Sequence, residues 1–178
     1  MSRIQQVAPK TATGKAKELL DAVKSKMGMV PNMTRAMANS PAVLNAYLQF
    51  SGALATGTLP VRNREQIALT IGHANGCNYC LAAHSAIGKM VGLTAEQILD
   101  SRRGNAIDAK SDVILKFSRK VLETKGHVSN EDVAAVREAG LNDGEIAETV
   151  ANVALNIFTN YFNHVADTTV DFPLAPTL

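Results

Sequence analysis

Two cysteines are the most reactive side chains in this chain, and they stand together. Cys77 and Cys80 are its only cysteines, spaced Cys-x-x-Cys, and His84 follows Cys80 by four residues. Residues three or four apart share one face of a helix. The two thiols and the imidazole therefore fall along one stripe if this segment is helical. Leu81, Ala82, Ala83, Ala86, Ile87, Lys89 and Met90 favour a helix there, and Asn75-Gly76 ahead of it reads as a turn or a break. The pair then opens the helix, where free N–H groups and the macrodipole favour a thiolate over a thiol.

Three readings of the pair compete. In the first, the cysteines are two small buried apolar side chains. In the second, His73, Cys77, Cys80 and His84 form HxxxCxxCxxxH, four possible zinc ligands. A structural zinc site usually takes two separated ligand pairs, whereas these four lie within twelve residues and His73 falls on the far side of Asn75-Gly76. The third is thiol–disulfide or peroxide chemistry: the pair opens and closes a disulfide, a low thiol pKa supplies the nucleophile, and His84 accepts its proton. A c-type haem signal fails, because Leu81 rather than histidine follows Cys80.

Glu65 completes the third constellation. Eleven residues separate it from Cys77. If its helix packs antiparallel to the cysteine helix across Asn75-Gly76, the carboxylate approaches His84, orients the imidazole and raises its basicity. On its own, a glutamate beside Arg62 and Arg64 reads as a solvated helix carboxylate. His73 and His164 read as core-edge histidines. Tyr79, between the cysteines, reads either as a surface aromatic or as a donor lining a substrate pocket.

The elements that must position these groups are all helical. The expected helices run from Thr13 or Gly14 to about Met27, Met33 to Ala38, Pro41 to about Ala55, Val61 to Ala74, Cys77 to near Gly92 and Thr94 to near Arg102. Three more run from Ala109 to Lys125, from Ser129 to before Gly140, and from Asp143 to His164. Pro41 after Ser40 suits a first helical position, Thr94-Ala95-Glu96-Gln97 has the form of a capping box, and Gly126 fits a C-cap. No strict apolar–polar alternation marks a strand. Residues 1–12 and the tail Asp171–Pro176 read as extended. A faint repeat at a shift of eighty pairs Glu65 with Glu145 and His84 with His164, with Ile157 and Asn160 standing in for the cysteines. The last helix carries Ile146, Val150, Val153, Ala154, Ile157, Phe158, Tyr161 and Phe162, a broad apolar surface that predicts burial on more than one side and contact with another subunit.

Composition sets the frame. The 178 residues are 46% hydrophobic and 19% charged, with a net charge of +2, ordinary values for one globular domain. So small a charge, with no basic run, argues for no nucleic-acid partner. No apolar run reaches the ~20 residues of a membrane span, and the first residues do not read as a secretory signal. Cysteines at this spacing without an export signal predict a cytoplasmic redox or metal role rather than a structural staple.

Glu65, then eleven residues, then Cys77-x-x-Cys80-x-x-x-His84 resembles the core of the alkylhydroperoxidase D family, within the wider carboxymuconolactone decarboxylase superfamily. Gly28-Met29-Val30-Pro31-Asn32, Ser40-Pro41 and Leu59-Pro60-x-Arg62-x-Arg64-Glu65 resemble the family's lead-in, and Ser129 to His164 resembles the C-terminal part of its peroxidase-related subgroup. The likeness thus spans nearly all of residues 1–178, with its core motif at about 59–92. It implies a single all-α domain with the CxxC at the start of a core helix, assembled as a trimer or hexamer. It also implies an antioxidant oxidoreductase that reduces hydroperoxides. Cys80 would be the attacking thiol, Cys77 the resolving one, and Glu65 and His84 the proton relay. The family's pattern implies no bound cofactor or metal, but an external dithiol or protein reductant, with a lipoyl group as the suggested donor. The alternatives are a disulfide reductase serving a partner protein and a non-catalytic, zinc-binding or purely helical, oligomeric module. Well-studied members carry a histidine just before the second cysteine; Tyr79 stands there in this chain, and a phenol of pKa ~10 is no base near neutral pH. The decarboxylase branch typically lacks the CxxC pair, so the cysteines argue against lactone decarboxylation.

Overall fold

Capping residues, glycines and prolines divide the chain into helices, and among the described residues, 2–178, a computed structural model shows nine of them and no strand. They are α1 (Gly14–Met27), α2 (Asn32–Met37), α3 (Pro41–Leu54), α4 (Val61–Ala74), α5 (Asn78–Met90), α6 (Ala95–Arg103), α7 (Ala109–Glu123), α8 (Asn130–Glu138) and α9 (Asp143–Ala166). Ser40, Thr94, Asp108, Ser129 and Asn142 each accept a backbone N–H at a helix start, an arrangement worth about 1 kcal/mol apiece. Thr94, Ser129 and Asn142 form full capping boxes with Gln97, Asp132 and Glu145. α7 stops at Glu123, short of the expected Lys125, because Lys125 and Gly126 both take positive φ and the Gly126 N–H returns to the Val121 carbonyl. No helix of the described residues is long and apolar enough to cross a membrane.

α4 is the centre of the fold. It packs against α5, α6, α7 and α9, and Ile67, Ala68, Leu69 and Ile71 are all buried on it. Gln66 to Gly72 are buried on every side of the helix, and each of its large aliphatics contributes about 1.5–3 kcal/mol by leaving water. Ile67 and Ile71 meet Ile114, Leu115, Val136 and Val153 on one side. Leu69 meets Leu81, Leu93 and Ile98 on another. Cys77, Tyr79 and Cys80 belong to a third cluster, built by Leu20, Met37 and Leu44 of α1–α3. The N-terminal helices therefore wall in the cysteines.

α9 departs from the expected pattern. Its buried face is mostly polar, with Glu145, Thr149, Asn152, Asn156, Thr159, Asn160 and Asn163 turned inward beside Val153. Val150, Phe158, Tyr161 and Val165 are exposed instead. The inward polar groups bond their own helix: the Thr149 hydroxyl donates to the Glu145 carbonyl, and the Asn152 and Asn156 amides donate to Glu148 and Asn152. For Thr149, Asn152 and Asn156 these bonds offset the cost of burial, whereas Asn160 Nδ2 and Asn163 Oδ1 are buried without a partner. The faint repeat does not extend to the site. α9 runs unbroken where α4 and α5 are split, and Glu145 pairs with Lys110 at 2.7 Å rather than with His164.

Candidate active site

Cys77 is the N-cap of α5, and its sulfur accepts the Cys80 N–H at 3.3 Å. Its own N–H donates to the Gly72 carbonyl at 2.8 Å, so the turn after α4 fixes the first cysteine. Gly76 makes that turn with φ 66, a conformation that favours glycine. The Cα atoms of Cys77 and Cys80 lie 5.3 Å apart, and the two sulfurs are joined as a disulfide. Both cysteines are buried. The two residues nevertheless line different cavities. Cys80 lines an inner cavity of about 60 Å³ with His84, Met33, Tyr47, Thr159 and Phe172. Cys77 lines an adjoining outer cavity of about 350 Å³ with Gly76, Asn78, His164 and Asp167, across Tyr79 and Asn163 from the first.

Glu65 and His84 meet as the spacing predicts. The Glu65 Oε2 lies 2.7 Å from His84 Nδ1, and both side chains are mostly buried. The solvated-carboxylate reading fails because its two neighbours look elsewhere: Arg64 donates to the Leu59 carbonyl and Arg62 to the Gln97 side chain. Glu65 opens on a cavity of about 180 Å³ that is also lined by His84, Tyr47 and Thr159. His84 thus stands between the two cavities, with Glu65 on one side and Cys80 on the other. With Nδ1 held by the carboxylate, Nε2 is the nitrogen free to exchange a proton.

Tyr79 is buried, not on the surface. Its ring lines the Cys80 cavity and packs edge-on to Phe172, with centroids 5.8 Å apart. Its hydroxyl is committed: it donates to Asp171 Oδ1 at 2.8 Å and accepts the Met33 N–H at 3.2 Å. Asp171 Oδ2 accepts the Asn32 N–H at 2.8 Å. The phenol therefore ties the C-terminal tail and α2 over α5, and burial above all pushes its pKa up.

Residues 41–123 match the model of the Carboxymuconolactone decarboxylase family. Three solved structures share the fold. A peroxidase-related protein from Ralstonia eutropha JMP134, described as an alkylhydroperoxidase AhpD core, is 24% identical, with 96% of this chain and 92% of that one covered at a TM-score of 0.87. A peroxidase-related protein from Silicibacter sp. TM1040 is 23% identical over 94% and 92% of the two chains, with a TM-score of 0.81. The debrominase Bmp8, as a cysteine-to-alanine variant in complex with 2,3,4-tribromopyrrole, is 15% identical over 96% and 92%, also with a TM-score of 0.81. No curated protein sequence matches the chain. Residues 41–123 are thus similar to the Carboxymuconolactone decarboxylase family, and the chain shares the fold of the alkylhydroperoxidase AhpD core.

The site contains groups that the motif does not show. The Asn163 amide of α9 donates to Cys80 Sγ at 3.4 Å and to Met33 Sδ at 3.3 Å. Tyr47 of α3 lines both inner cavities. Burial, and after it the charge of Glu65, pushes its phenol up to about 12, so it is a hydrogen-bond donor at neutral pH. Asn152 and Asn156 line the Glu65 side. Their one sequence signal is the run of asparagine and threonine at helical spacing through Thr149, Asn152, Asn156, Thr159 and Asn163, which the apolar residues of the same helix outweigh by eye.

The zinc reading loses its fourth ligand. His73 is exposed and lines a different cavity with Arg102, Arg103 and Arg119, and those cations disfavour a metal ion beside it. Among the described residues no group of three His, Cys, Asp or Glu side chains is placed to hold a metal.

Proposed function

We propose that this protein reduces organic hydroperoxides with its own dithiol, and the observation that carries the proposal is that Cys80 and Glu65-bound His84 share one small, walled-in cavity. In the dithiol form, His84 Nε2 takes the Cys80 proton, and Asn163 donates a hydrogen bond to the resulting thiolate. The sulfur attacks the outer oxygen of R–O–OH. The S–O bond forms, the O–O bond breaks, and the alkoxide leaves with the proton held by His84, giving an alcohol and a Cys80 sulfenic acid. Cys77 then attacks the Cys80 sulfur; the S–S bond forms, the S–O bond breaks, and hydroxide takes a proton to leave as water. Two electrons have passed from the dithiol to the peroxide.

An external dithiol, such as a lipoyl group, restores the pair by disulfide exchange. Cys77 opens on the outer cavity, which supports attack of the donor there, with Cys80 leaving as the thiolate that Asn163 and His84 favour. Burial of both sulfurs supports a small peroxide over a folded protein's disulfide as the oxidant. The expected test result is steady-state consumption of alkyl hydroperoxides with dihydrolipoamide as donor, abolished by Cys80→Ser. Turnover of 2,3,4-tribromopyrrole with no consumption of any hydroperoxide would overturn the proposal.

A further inference from the structure

The far side of α4 carries a further cavity that the proposed peroxidase chemistry does not use. It is lined by Thr70, His73 and Ala74 of α4, Arg102 and Arg103 of α6 and Arg119 of α7, with a volume of about 440 Å³. It shares no lining residue with the cavities at Cys80 and Glu65, and no carboxylate lines it. Three arginines and one histidine line it.

Arg102 is the unusual member. It is only 8% exposed, a rare state for an unpaired arginine. Its guanidinium donates to the Pro176 carbonyl, but its Nε is buried without a partner, and it joins no ion pair among the described residues. A buried donor left unsatisfied is costly. Arg103 and Arg119 are paired only with neighbours on their own helices, Asp100 at 3.1 Å and Glu123 at 2.7 Å. Such exposed pairs are weak and exchange readily for a stronger anion.

We propose that this cavity binds a phosphate-bearing small molecule, held by Arg102, Arg103 and Arg119. A phosphomonoester carries about −1.5 to −2 charges at pH 7 and three acceptor oxygens, matching several planar guanidinium forks. A single carboxylate has too little charge and too few oxygens to engage all three. The volume leaves space for a modest organic group beside the phosphate. Partial desolvation of His73, and after it the charges of Arg102 and Arg119, hold its pKa down.

Calorimetry with inorganic phosphate and glycerol 3-phosphate as probes tests the site on the whole protein, independently of any peroxidase activity. Saturable binding is expected, with acetate clearly weaker. Arg102→Gln and Arg119→Gln are each expected to weaken phosphate binding by about tenfold or more, the usual loss for a charge-assisted contact. Arg119 is an exposed side chain, so its variant keeps the fold even if the buried Arg102 variant does not. Bound phosphate should also raise the titration midpoint of the His73 ring protons in NMR spectra, because the dianion offsets the guanidinium field. Absence of saturable phosphate binding, acetate binding as tightly as phosphate, or unchanged affinity in Arg119→Gln would each overturn the assignment.

Discussion

Glu65 and His84 are brought together by two helices that cross a three-residue turn, so their contact is set by packing before charge contributes. Glu65→Gln keeps the size and a hydrogen-bonding head but removes the charge that fixes the imidazole. Peroxide turnover is expected to fall by ~10²–10⁴-fold, the usual cost of losing a positioned proton-transfer group, with the circular dichroism of the fold unchanged. Unaltered turnover would take Glu65 out of the mechanism. Asn163 is tested on the thiol itself. In a Cys77→Ser background only Cys80 titrates, and its thiolate absorbance is expected to appear about one pH unit or more higher once Asn163→Leu removes a charge-assisted hydrogen bond; coincident titration curves would contradict that role. At this scale the sequence was legible where partners lie close along the chain. Cys77, Cys80, His84 and Glu65 are linked by fixed spacings on adjacent helices. Asn163 and Asp171 reach the site from 83 and 92 residues away, and no local pattern carries such a meeting.

Helix boundaries were legible because each is written in a few neighbouring residues: Ser40-Pro41, Thr94 with Gln97, Ser129 with Asp132. The orientation of α9 was not. Its apolar residues predict a face for burial, yet the core side is taken by threonines and asparagines, several of which bond their own backbone. Periodicity reports that a helix has two unlike faces, and it does not report which one the neighbouring helices cover. α3 offers a test at this scale. The Tyr47 phenol is pushed up to about 12 in the fold, whereas an unfolded tyrosine ionises near pH ~10. The fold therefore favours the neutral phenol. That contribution is complete below pH ~10 and is lost as pH rises through the folded value near 12. Tyr79 is shifted in the same direction, chiefly by burial. The thermal midpoint is expected to fall across this alkaline window, and to fall less steeply in Tyr47→Phe. Equal slopes for the two proteins would contradict the burial of this phenol against Glu65.

For the whole molecule, α9 presents Val150, Phe158, Tyr161 and Val165 to the outside, on one side of a helix whose other side lines the site. Contiguous apolar surface of this kind is seldom left to water, and closed rotational symmetry is the usual way for identical chains to cover it. We expect assembly into a trimer or hexamer. Light scattering should give three or six times the 18.9 kDa chain mass, and a single-chain mass at micromolar concentration would refute it. The account as a whole stands on one dithiol doing two-electron chemistry on a peroxide, and single-turnover stoichiometry tests that most directly. Fully reduced protein, mixed with one equivalent of an alkyl hydroperoxide and no donor, should consume it completely, yield one equivalent of alcohol, and lose both thiols and two hydrogens of mass as Cys77–Cys80 closes. Peroxide left intact beside two free thiols, or consumed while both thiols persist, would contradict the account.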